Sequence, residues 1–152
     1  MSQARFAIGR VMALCACTLA GAWSLAAVAE DEESLASHKV VIQVSTADPA
    51  TQKMALNNAV NLQKDLGPDN VDIEIVAYGP GLSLMTKAGP EAERIPSLIT
   101  SGIQFDACGN TIKKVESETG KQPQLIEGVK VVPAGVVRIM ELQEKGYSYI
   151  RP

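Results

Sequence analysis

Apolar residues gather along this chain in three ways: one long run near the N-terminus, short β-branched runs, and stretches where they recur every three or four positions. Val40, Val41, Ile42, Gln43 and Val44 are apolar almost throughout, which predicts a strand covered on both faces of a parallel sheet and makes it the candidate central strand. Val71–Ala77 follows as a second strand, where Asp72 and Glu74 alternate with apolar residues and predict one less buried end. Ile103, Gln104, Phe105, Asp106 and Ala107 make a third strand, Val129, Lys130, Val131 and Val132 a fourth. Tyr147, Ser148, Tyr149 and Ile150 make a last one at the sheet edge.

Helical spacing fills the intervals. Asp48 before Pro49 is a helix start, an N-cap with proline where a missing N–H does no harm. Ala55, Ala59, Leu62 and Leu66 follow on one face, widened by Leu56 and Val60, until Gly67-Pro68 stops the helix. Tyr78-Gly79-Pro80-Gly81 reads as a turn, followed by a short helix over 82–87 that Gly89-Pro90 closes. Another helix begins near Pro96 and ends at Gly102, with Leu98 and Ile99 inward. Cys108-Gly109-Asn110 opens a helix to about Thr119, stopped by Gly120. A last helix over 134–145 carries Val136, Ile139, Met140 and Leu142 along one side and ends at Gly146. Strands alternating with helices at this spacing predict a three-layer α/β/α sandwich with a mostly parallel sheet of about five strands.

The N-terminal run has another meaning. Arg5 and Arg10 precede an apolar stretch over 11–28 that ends in Ala27-Val28-Ala29 and turns acidic at Glu30-Asp31-Glu32-Glu33. This is the layout of a cleavable signal peptide, residues 1–29, and predicts a periplasmic or secreted protein with no membrane attachment after cleavage. An uncleaved anchor needs about 20 apolar residues, which 11–28 only approaches. Leu14-Cys15-Ala16-Cys17 is a poor lipoprotein signal. Residues 30–38 read as a flexible acidic arm, and 39–152 as one α/β domain.

Cleavage after Ala29 leaves 123 residues with 12 basic and 17 acidic side chains, a net charge of −5 that argues against nucleic acid as a partner. Cys15 and Cys17 leave with the signal, so Cys108 is the one cysteine of the mature chain and no internal disulfide forms. That thiol is buried, kept reduced for chemistry, or paired with another chain.

In open α/β sheets ligands gather at the carboxyl ends of the strands. Three segments fall there: Tyr78-Gly79-Pro80-Gly81, Cys108-Gly109-Asn110-Thr111 and Pro133-Ala134-Gly135. Cys108 is their strong nucleophile, and a thiol at a helix start meets free N–H groups and the positive end of the helix dipole. Gly109 allows close approach, Asn110 or Thr111 caps the helix or donates to an anion or sulfur atom, and Lys113 and Lys114 add positive charge. Tyr78, Gly79, Gly81 and Gly135 complete the candidate binding set. The competing reading makes Cys108 a small apolar plug between strand and helix. The single histidine, His38, sits by the arm and offers no hydrolase base. No cluster has metal-ligand spacing, so neither metal nor cofactor is expected. Glycines 79 and 81 lack a phosphate-loop pattern and also read as turn punctuation. Phe105, Tyr147 and Tyr149 belong to the core or to a subunit contact, and Glu116 and Glu118 to a solvated helix face.

Taken in order, Phe105-Asp106-Ala107-Cys108-Gly109-Asn110-Thr111, Val131-Val132-Pro133-Ala134-Gly135-Val136-Val137 and the stretch 142–150 from Leu142 to Ile150 resemble the DsrE/DsrF-like proteins, in an exported branch of that superfamily. The likeness runs from His38 to Pro152. It implies a small α/β sandwich that assembles into trimers or hexamers, and a cysteine, here Cys108, that carries sulfur as a persulfide between a donor and an acceptor protein. The surroundings of Cys108 differ from the carrier motif of the cytoplasmic relay members, and an exported chain does not meet tRNA. Three functions therefore compete: a persulfide carrier, a binding module whose pocket Cys108 merely lines, and a non-catalytic subunit with Cys108 buried.

Overall fold

The computed structural model describes residues 35–152. The signal-peptide reading and the acidic stretch up to residue 34 lie outside the described residues. Five strands and four α-helices follow in the order β1 (His38–Val44), α1 (Pro49–Leu66), β2 (Val71–Ala77), α2 (Ile95–Thr100), β3 (Gln104–Cys108), α3 (Gly109–Thr119), β4 (Lys130–Val132), α4 (Gly135–Glu144) and β5 (Ser148–Ile150). A 3₁₀ helix, Gly79–Met85, follows β2. The strands pair in the order β4-β3-β2-β1-β5, every pair parallel.

Local chemistry explains most boundaries. Asp48 accepts the Thr51 N–H at 2.8 Å to cap α1, with Pro49 in the first turn. Gly67 ends it at φ +89°, a conformation that side-chain-bearing residues avoid. Three expectations shift. The strand β1 takes in His38, so the fold starts one residue earlier than expected. The middle of the sheet is β2, with β1 beside it and held at its other edge by β5. The expected turn at 78–81 and helix at 82–87 merge into the 3₁₀ helix, because Gly81 lies so close to the end of β1 that a Cβ there would sit 2.1 Å from the Val44 carbonyl oxygen. Leu82, Leu84 and Met85 follow it into the core.

Side chains alternate across a strand, and here the two faces of the sheet differ in kind. One face presents Val40, Ile42, Val44, Val71, Ile73, Ile75, Ala77, Phe105 and Ala107 to a large core completed by α1, the 3₁₀ helix, α2 and the first turns of α3. The other face carries α4. Its apolar seat is small, with Ile139 and Leu142 on Val41 and Val76, flanked by Tyr78 and Tyr147. Polar side chains occupy the remainder: Gln43, Glu74 and Asp106 are all buried. The sandwich thus has three layers of unequal weight, and Cys108, in phase with Asp106 along β3, belongs to the thin α4 layer.

Candidate functional site

Cys108 is both the last residue of β3 and the N-cap of α3, with extended backbone at φ −71° and ψ 116°. Its side chain therefore projects where a capping oxygen would accept from the N–H groups of the second and third helical residues, Asn110 and Thr111. As a thiol it closes no capping bond. Those donors count once the sulfur is ionised.

A second helix start meets it. Because β4 pairs with β3 so that Val132 lies opposite Cys108, the 133–135 segment passes directly beside the sulfur. Asn110 donates its N–H to the Pro133 carbonyl at 3.2 Å, tying the two helix starts together. Gly135, the first residue of α4, comes so near that a Cβ on it would lie 3.3 Å from the Cys108 Cβ and 3.2 Å from the Tyr78 Cβ. No side chain caps α4, and the N–H of its first residue, Gly135, acts on the sulfur.

Thr111 adds the side-chain donor. Its hydroxyl oxygen accepts the Gly79 N–H at 2.9 Å, leaving its proton for the sulfur. Burial pushes the Cys108 thiol up, and this is the largest single influence. The Thr111 hydroxyl, then the N–H groups of Gly135, Thr111 and Asn110, together outweigh it and hold the thiol below its ordinary range. Only 6% of the residue is exposed, so the sulfur is reached through a narrow opening.

The residues expected at the site divide accordingly. Cys108, Asn110, Thr111 and Gly135 meet at the sulfur, Gly79 orients Thr111, and Tyr78 packs beside Gly135. Gly109 allows close approach to the β4 end: a Cβ there would lie 3.2 Å from the Val132 carbonyl oxygen. Gly81 is held by its packing on Val44 instead. Lys114 faces Glu118 at 3.8 Å on the exposed side of α3. Lys113 lines an apolar recess of about 370 Å³ with Gly109, Ile112, Gln122, Pro123, Leu125 and Val131, outside the first turn of α3. Phe105 is core, whereas Tyr149 is exposed and donates to Gln43 at 2.5 Å.

One constellation went unread in the sequence. Arg138 of α4 reaches Glu74 with Nε at 2.6 Å and Nη2 at 2.9 Å, and its Nε lies 3.5 Å from Asp106. Gln104 spans to Asp106 at 3.3 Å and takes a bond from Lys130 at 2.6 Å, while Tyr147 donates to Asp72. Burial, then the neighbouring Glu74 carboxylate, push the Asp106 carboxyl up to about 8, against weaker opposing pulls from Gln104 and Arg138. One cation between two buried carboxyls is thus balanced by a proton kept on Asp106. The period-two placement of Asp72 with Glu74 and of Gln104 with Asp106 was the available signal.

The family model of the DsrE/DsrF-like family matches residues 38–152. Among solved structures, MTH1491 of Methanobacterium thermoautotrophicum, described as a protein of unknown function, is similar at 32% identity and a TM-score of 0.68. The match covers 76% of this chain and 99% of that one. No curated protein matches.

Proposed function

The chain belongs to the DsrE/DsrF-like family, and from that premise we propose that it is a sulfur-relay protein that carries sulfane sulfur on Cys108. The observation that carries this reading is the convergence of two helix starts and the Thr111 hydroxyl on one sulfur, which favours the thiolate in spite of burial. The thiolate attacks the terminal sulfur of a donor persulfide or polysulfide. A new S–S bond forms at Cys108 while the donor's S–S bond breaks, the donor leaves as a thiolate, and the sulfane sulfur keeps its proton. The reverse exchange onto an acceptor thiol completes the relay with no net oxidant. Between the two exchanges the outer sulfur loses its proton to solvent, and the same N–H groups that face the thiolate steady the persulfide anion.

The reading extends to place and assembly. Arg5, Arg10, the apolar 11–28 run and Ala27-Val28-Ala29 support export to the periplasm, where donor and acceptor are thiol proteins or small sulfur compounds. Val136, Val137 and Met140 of α4, each about half exposed, support self-association of the trimer or hexamer kind through the thinly covered face. Cyanolysis tests the chemistry: after loading with polysulfide, the protein releases thiocyanate and Cys108→Ser releases none. Equal release from both overturns the assignment.

A further inference from the structure

Helix α4 supplies the Gly135 N–H to Cys108, yet the apolar seat that attaches α4 to the sheet consists of Ile139 and Leu142 on Val41 and Val76, with Tyr78 and Tyr147 alongside. So small a seat leaves much of the placement of this helix to its polar contacts. Arg138 sits one turn beyond Gly135 on the same side of α4, and only 15% of its side chain is exposed. Its guanidinium grips both oxygens of Glu74 on β2, at 2.6 and 2.9 Å, lies 3.5 Å from Asp106 on β3, and has Glu141 of its own helix at 3.8 Å. A planar fork held by two carboxylate oxygens fixes direction as well as distance, which a point charge does not.

The two strands that grip Arg138 are also those whose ends carry Tyr78 and Cys108. Along β3, Asp106 and Cys108 share a face two residues apart. Along β2, Glu74 shares that face with Val76 and leads to Tyr78, against which Gly135 packs at close range. The ion cluster and the thiol therefore lie along one short line under α4.

We propose that Arg138 is a positioning residue for Cys108: clasped by Glu74 and Asp106, it pins the first turn of α4 so that the Gly135 N–H stays on the sulfur. The inference rests on the reading of Cys108 as an activated thiol, and it adds a residue that never touches the reacting atoms. The ion cluster is then part of the thiol's machinery and not only an attachment of helix to sheet.

The test uses the double variant Glu74→Gln, Arg138→Met, which removes both charges of the buried pair and so leaves no unpaired charge behind. Its fold is checked by circular dichroism, and the thiol by the rate of iodoacetamide alkylation between pH 5 and 10. The expected result is a folded protein whose alkylation at pH 6 to 7 is several-fold to tenfold slower than wild type, with the two rates converging at high pH. Arg138→Lys keeps a cation but loses the fork, and its profile is expected to shift in the same direction. A folded variant with a wild-type profile overturns the proposal, as does loss of the fold in both variants, which makes Arg138 a structural residue only. The wild-type profile keeps the two claims apart. A wild-type thiol that titrates in the ordinary range near 8.5 sinks the activated-thiol reading itself, while a depressed wild-type profile shared by the variants sinks only the role of Arg138.

Discussion

Replacing Thr111 by valine removes the one side-chain donor at the Cys108 sulfur while keeping nearly the same shape. A hydrogen bond to a charged group contributes about 1.5–3 kcal/mol, and one pKa unit corresponds to about 1.4 kcal/mol. Loss of the Thr111 hydroxyl is therefore expected to raise the thiol pKa. Alkylation at a pH below the wild-type pKa slows roughly ten- to hundredfold, since only the thiolate reacts. The same change strips the Gly79 N–H of its acceptor at 2.9 Å, which costs about 1–3 kcal/mol of stability if no water replaces it. Thr111→Ser keeps donor and acceptor and is expected to retain the wild-type profile. The assay is the rate of iodoacetamide modification against pH for the three proteins, with urea unfolding alongside. A valine variant whose profile overlays wild type, or a serine variant shifted as far as valine, refutes the reasoning.

Asp106, at about 8 in the folded protein against an unfolded value near 3.8, holds a proton that the unfolded chain has lost between those two pH values. Folding stability therefore falls as pH rises from about 4 to about 8 and levels off above that. Asp106→Asn mimics the protonated form, so urea midpoints at pH 5 and 8.5 are expected to differ less in the variant than in wild type. An unchanged difference refutes the assignment. Gly81→Ala drives a Cβ to within 2.1 Å of the Val44 carbonyl oxygen and is expected to cost about 3 kcal/mol, or roughly 10 °C in melting temperature; a melting curve like wild type counts against its packing role. Met140→Glu, on the exposed face of α4, is expected to leave the fold intact and reduce the molar mass seen by light scattering to that of one chain. Retention of the wild-type mass points self-association away from this face.

Element order was legible because this chain punctuates its helices clearly. Asp48-Pro49 and Gly67-Pro68 bracket α1, and Gly120 and Gly146 follow α3 and α4. The site was half legible. A cysteine between a short strand and a helix start can be read locally, and the carboxyl-end rule brought Tyr78, Gly79 and Gly135 into view. What stayed hidden depended on pairing across the sheet. That Val132 lies opposite Cys108, bringing a second helix start to the sulfur, follows from the β3–β4 register. Asp72 and Glu74 read as a less buried strand end because alternation shows which residues share a face, not what covers it. Glu74 is covered by Arg138, 64 residues further along the chain, and Asp72 by Tyr147, 75 residues further. Thr111 was expected to cap a helix or meet an anion, and its acceptor role toward Gly79 depends on a loop 32 residues earlier.

The most direct test of the central claim is the mass of the protein after brief exposure to polysulfide, measured beside Cys108→Ser. The account predicts a gain of about 32 Da, one sulfur atom, on Cys108 of the wild-type chain, reversed by reducing agent and absent from the serine variant. A wild-type mass that does not change, or the same gain in both proteins, contradicts it.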